Sequence, residues 1–213
     1  MGIKSLLDGY SRFKNNEYQH QRELYLQLEK EGQKPRVLFI ACCDSRCDPS
    51  IITDARPGEL FMVRNVANLV PKYTPDGKHH GTSAAIEFAV RHLEVEHIIV
   101  MGHAQCGGVK LLLESAGKTK VEDDFLTSWM QTASEARDRI MSSCDRDMNM
   151  DAQLGLEHET VRLSLRNLMT YDWLSQRVNT GALQLHGWYF GIAKGELHRL
   201  DPSTGEFKLI EYE

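Results

Sequence analysis

Two short clusters in this chain hold residue types that do chemistry: Cys42-Cys43-Asp44-Ser45-Arg46 and His103-Ala104-Gln105-Cys106-Gly107-Gly108. Thiolate and imidazole are ligands that zinc prefers. His103 and Cys106 can chelate one ion from a single loop, and one more cysteine makes a Cys₂His set. Three protein ligands leave a fourth position open, the arrangement of catalytic zinc. Gly107-Gly108 is expected to open a helix, whose free N–H groups and positive end favour the thiolate of Cys106. Taken singly, each residue has an ordinary structural reading as a buried free cysteine, a satisfied histidine or an exposed ion pair. The coincidence of two such clusters, each beside turn chemistry, points to a site.

The elements around them explain how they would meet. Val37-Leu38-Phe39-Ile40-Ala41-Cys42 is a continuous apolar run behind Pro35, the pattern of a strand buried on both faces. His97 to His103 is a second such strand, and Glu59 to Val66 a third, following Pro57-Gly58. A helix is predicted over 83–94, N-capped by Thr82 or Ser83, with Ala85, Ile86, Ala89, Val90 and Leu93 on its apolar face. Another runs from Gly107 to about Ser115, with Gly117 ending it. Residues 122–178 read as helical with loops near 144–154. Ala182 to Phe190 reads as a strand, and Glu196–Leu200 and Glu206–Tyr212 as a hairpin. This order is α/β: a mostly parallel central sheet flanked by helices, with an antiparallel edge near the C-terminus. Ligands of open parallel sheets sit outside the carboxyl ends of the strands, so both clusters are predicted at one rim. Residues 1–32 form a helical arm with a narrow apolar stripe that could lie on its own domain or on a partner subunit.

The chain has 213 residues, which suits a single domain over 1–213. Lys+Arg 25 against Asp+Glu 30 gives a net charge of −5, which argues against a nucleic-acid binder. No apolar run approaches the ~20 residues that span a bilayer, and no secretory signal is expected at the N-terminus. Five cysteines, an odd number, favour thiol or metal chemistry in a reducing compartment, hence a cytoplasmic location.

The sequence resembles the β-class carbonic anhydrases. The matching segments are Cys42-x-Asp44-Ser45-Arg46, Pro57-Gly58-Glu59-Leu60-Phe61, Arg64-Asn65-Val66-Ala67-Asn68 and Gly81-Thr82-Ser83-Ala84-Ala85-Ile86-Glu87. They continue with His103-x-x-Cys106-Gly107-Gly108 and His186-Gly187-Trp188. The resemblance runs from about Gln33 to Lys194. It implies one zinc per chain, held by Cys42, His103 and Cys106, and an Asp44–Arg46 dyad beside it. Cys43 should point to the opposite face of the strand from Cys42. Cys47 and Cys144 have no counterpart role and read as structural. The implied reaction is reversible hydration of CO₂ to bicarbonate and a proton, with Asp44 orienting the nucleophile and Arg46 keeping Asp44 ionised. Phe61, Val66 and Phe88 match the apolar substrate slot, Gln33 a hydrogen-bonding amide, and Gly107 a further substrate contact. In that family the slot lies at a dimer interface, so a homodimer or homotetramer is expected, with some groups coming from the partner.

His79, His80 and His92 are candidates for proton export, with a solvated surface role as the ordinary alternative. A subset of the family carries an inhibitory bicarbonate pocket marked by a Trp, an Arg and a Tyr. Here those positions are Phe39, Arg64 and Phe190, and Tyr189 should face the other way. The resemblance therefore implies an open zinc site without cooperative bicarbonate inhibition, and Arg64 paired with a carboxylate at a subunit contact. Three other readings share some of these features: the same site acting on carbon disulfide or carbonyl sulfide, a zinc-stabilised interaction module, and a thiol redox protein. The last lacks Cys-x-x-Cys.

Overall fold

A computed structural model describes residues 2–115, 124–144 and 151–211. The arm comprises α1 (Ile3–Asn15), α2 (Glu17–His20) and α3 (Arg22–Glu31). It contributes no buried residue, and Ile3, Leu6, Leu7 and Tyr10 of α1 stay exposed. Next come β1 (Val37–Cys42), α4 (Pro49–Thr53), β2 (Leu60–Asn65), α5 (Gly81–Glu87), β3 (His97–His103) and α6 (Gly107–Glu114). The second half holds α7 (Leu126–Met130), α8 (Ser134–Cys144), α9 (Ala152–Leu168), α10 (Asp172–Asn179), β4 (Gln184–Gly191), β5 (Glu196–Leu200) and β6 (Phe207–Leu209).

The six strands form one sheet in the order β2-β1-β3-β4-β5-β6. β2, β1, β3 and β4 are mutually parallel, and β5 and β6 run antiparallel. Strand alternation sends Phe39, Ala41, Ile99 and Met101 to one core with Leu156, Leu163 and Met130. Leu38, Ile40, Ile98 and Val100 go to the other, with Ile86, Val90, Val161, Leu168 and Leu174. Both faces are covered, which is why β1 and β3 read as unbroken apolar runs.

Three local expectations are corrected. The helix predicted over 83–94 starts at Gly81, with His80 as its N-cap and no capping side chain. The hydroxyls expected to cap it serve tertiary contacts instead: Ser83 bonds the Tyr171 hydroxyl at 2.8 Å and Thr82 accepts from Asn65 Nδ2 at 3.3 Å. Its end widens into a π-helical turn over Phe88–His92. The helical stretch predicted over 122–178 breaks after Leu168. There the N–H groups of Met169, Thr170 and Tyr171 each turn back three residues, and Tyr171 enters the core as the N-cap of α10. Gly117, Tyr212 and the side chain of Cys144 lie outside the described residues.

Candidate active site

β1 and β3 are neighbours in register Val37↔His97, so Cys42 and His103 reach the same carboxyl rim. Beyond β3 the chain turns through Gln105, a non-glycine residue in the left-handed region at φ 55°. Cys106 follows as the N-cap of α6. The turn brings Cys106 back over β1, and the ligand atoms of Cys42, His103 and Cys106 all lie within 4.8 Å of one another. Close packing seats α6: a Cβ on Gly108 would stand 2.7 Å from Val66 Cγ1.

The donor set fits zinc. Two thiolates bonded to tetrahedral zinc at about 2.3 Å hold their sulfurs about 3.8 Å apart. Here Cys42 Sγ and Cys106 Sγ are 3.9 Å apart. His103 donates Nδ1–H to its neighbour's carbonyl, Ala104 O, at 2.9 Å, while its buried Nε2 has no hydrogen-bond partner. With Nδ1 committed to that carbonyl, Nε2 is the atom turned into the cluster, where a metal would take it. The protonation pattern agrees. The hydrogen bond between the two thiols pulls Cys42 down and pushes Cys106 up, with burial adding to the rise of Cys106. Burial opposes charge on His103, yet the nearby Cys42 and Cys47 thiols outweigh it and push the imidazole up to about 10, so the metal-free ring holds a proton on Nε2 that zinc would displace. The cluster thus retains protons that a divalent cation would displace.

Asp44 stands beside this cluster, with Oδ2 4.0 Å from His103 Nε2. Arg46 engages both of its oxygens: Nε donates to Oδ1 at 2.9 Å, Nη2 to Oδ2 at 2.8 Å, and the Arg46 backbone N–H to Oδ1 at 2.9 Å. These bonds hold the Asp44 carboxyl well below the usual carboxylate range, against a smaller effect of burial. Arg46 Nη2 also reaches Gln105 O at 3.1 Å, joining the two clusters across the rim.

Arg64 is engaged within its own chain. It donates to Cys42 O at 3.0 Å, to Asp44 O at 2.6 Å and to Asp48 Oδ2 at 2.7 Å. Its expected carboxylate is therefore Asp48, which also caps α4. Phe39 packs edge-on against Trp188 at 5.6 Å, and Phe190 joins the same core, so neither position offers a polar donor. Tyr189 faces away, with its hydroxyl on Glu157 Oε2 at 2.8 Å. Cys43 is exposed and lines a cleft of about 950 Å³ with Asn65, Val66, His79, His80 and Trp129. His80 bonds Asp76 at 2.6 Å, and His92 stacks on Phe88 away from that cleft.

The substrate-slot residues divide. Val66 and Gly107 stand at the rim, and a Cβ on Gly107 would meet nothing within 4 Å. Phe61 does not: it pairs with Leu38, four residues before Asn65, which pairs with Cys42. That is about 13 Å along the strand at ~3.3 Å per residue. Phe88 packs with Phe61 at 5.8 Å and is 44% exposed, and Gln33 is exposed before β1. One chain therefore does not gather the whole slot.

Glu157 escaped the sequence reading. It is 2% exposed on α9 and accepts the backbone N–H of Cys106 at 3.0 Å. The signal available was a Glu in helical register with Val161, Ser164 and Leu168, all buried.

Fold and site define an α/β protein with a buried Cys₂His cluster, able to hold a metal, at a parallel-sheet rim. A family model described as carbonic anhydrase matches residues 37–197, and the chain belongs to that family, in its β class. It is 38% identical to "Beta carbonic anhydrase 3" of Arabidopsis thaliana, over 95% of this chain and 79% of that one. The solved β-carbonic anhydrase CcaA matches at TM-score 0.89 and 33% identity, covering 99% of this chain and 92% of that one. A tetrameric β-carbonic anhydrase from Sordaria macrospora matches at TM-score 0.80 and 27% identity, covering 93% and 96%. The protein is a zinc-dependent lyase that hydrates CO₂ reversibly to bicarbonate and a proton.

Proposed function

We propose that Cys42, His103 and Cys106 hold the zinc, and that Asp44, fixed by Arg46, orients the attacking oxygen. The observation that carries this is the orphaned Nε2 of His103, facing two thiols and the Asp44 carboxylate. Bound zinc supplies the acidity that makes hydroxide available near neutral pH. Asp44 accepts the hydrogen of the attacking oxygen and so leaves a lone pair aimed at the carbon of CO₂. Its own oxygens are already engaged by Arg46, which favours a carboxylate that orients over one that closes the metal's fourth position. The first-turn N–H of Gly107, unobstructed by a side chain, is suited to an oxygen of bicarbonate.

Gln33, Phe61 and Phe88 complete the slot of a second copy, in a homodimer or homotetramer whose active sites lie at the interface. The unburied apolar stripe of α1 and the distance of Phe61 from its own rim support this assembly. His79 and His80, in the cleft, are the better placed of the proton-export candidates. Among the described residues no helix is long and apolar enough to cross a membrane. The reduced thiols this centre needs suit the cytoplasm. The test is stopped-flow CO₂ hydration with zinc analysis on the same preparations. D44A and R46A should each lose at least about 100-fold in kcat with zinc still stoichiometric. Full activity in D44A would remove the orienting role.

A further inference from the structure

We propose that Glu157 is a positioning residue for the zinc site, holding the Cys106 ligand loop through the backbone; this rests on the zinc reading above. Cys106 hangs on a turn that does not hold itself. The residue before it, Gln105, takes a left-handed conformation at φ 55°. A side chain at that φ is strained and persists only where its surroundings impose it. One restraint comes from Arg46, which bonds Gln105 O at 3.1 Å. A second is Glu157 Oε1, which accepts the Cys106 N–H at 3.0 Å.

Glu157 is itself held from two sides. Gln153 Nε2 donates to Oε1 at 3.0 Å and the Tyr189 hydroxyl to Oε2 at 2.8 Å. These three donors are neutral groups, and the carboxyl is buried. Burying a carboxyl on such donors is costly compared with an apolar residue of the same volume. Its position is also built into the fold. Gly102 lets α9 lie directly on β3, since a Cβ there would stand 2.8 Å from Val161 Cγ2 and 3.3 Å from Glu157 O. The glycine before His103 thus admits the helix whose carboxyl reaches Cys106. Groups that fix a metal ligand's orientation typically carry 10–100-fold of metal affinity.

The experiment compares wild type, E157Q, E157M, Y189F and C106S. Zinc affinity is measured by chelator competition, the cobalt(II) derivative by its thiolate charge-transfer band, and the metal-free chains by thermal melting. E157M fills the space without a strong acceptor, and should weaken zinc binding at least 10-fold and alter the cobalt band. E157Q keeps a carbonyl oxygen for the Cys106 N–H and should stay within about threefold of wild type. Wild-type affinity in a folded E157M overturns the proposal, and so does an E157Q as weak as E157M. Should E157M fail to fold, Y189F decides. It keeps its ring and frees Glu157 on one side, so at least a threefold loss of affinity is expected and none would overturn the proposal. C106S separates the two readings: zinc retained there refutes the ligand assignment itself, whatever Glu157 does.

Discussion

Gly102→Ala tests whether the contact between α9 and β3 sets the metal site. An added Cβ would lie 2.8 Å from Val161 Cγ2, inside any real contact distance, and 3.3 Å from the Glu157 carbonyl. The methyl of Val161 can be removed, whereas the carbonyl belongs to a helix backbone. Overpacking a tight interior costs about 1–3 kcal/mol. Replacing a strand glycine returns roughly 0.5–1 kcal/mol through the unfolded chain. The expected net loss is therefore about 1–2 kcal/mol. V161A alone should cost a similar amount by leaving a cavity, about 0.5–2 kcal/mol on the scale of methyl deletions. Combined, the two should be less destabilising than their sum by at least about 0.5 kcal/mol, because V161A removes the nearer clash. Rescue should be incomplete, since the Glu157 carbonyl stays. Urea unfolding of all four chains, at one protomer concentration because the family assembles, gives the cycle. The same samples, titrated with chelator, should show weaker zinc binding in G102A, as the altered strand carries His103. Strict additivity, or a destabilised G102A with wild-type zinc affinity, would refute the idea that close packing here positions the ligands.

Other outcomes follow from the same geometry. C42S should lose most of its zinc and activity while C43S keeps both, because Cys42 faces the cluster and Cys43 the cleft; zinc analysis of the purified variants checks this. His158 is half-buried against Tyr189 and Phe207, and partial burial pushes its imidazole down to about 4. The folded chain then stays neutral there while the unfolded chain takes a proton below about pH 6.5. Its contribution to stability is full above pH 6.5 and falls as pH drops toward 4, by at most about 1.4 kcal/mol per unit and less for partial exposure. H158N should flatten that slope in denaturation series, and an unchanged slope would exclude His158 as its source. Bicarbonate should inhibit hyperbolically, since Phe39 and Phe190 offer no donor; a sigmoidal curve would contradict this.

The chemistry of this protein was legible in its sequence because it is local. Cys42 ends one buried apolar run and His103 another, and parallel strands buried on both faces must deliver their carboxyl ends to one rim. His103-x-x-Cys106 and Asp44-x-Arg46 bring their members together within a single turn. The antiparallel edge and the outward face of Cys43 follow from the same short-range patterns. What tertiary structure alone decided depends on partners far away in the chain. Asp48 as the carboxylate of Arg64 and the diversion of Thr82 and Ser83 from capping α5 are pairings that no local spacing specifies. The break at Met169–Tyr171 is also tertiary, because burial of Tyr171 outweighs a helical periodicity that runs on past it. Glu157 reaches Cys106 across 51 residues, and only the missing side chain of Gly102 lets its helix come close enough to do so.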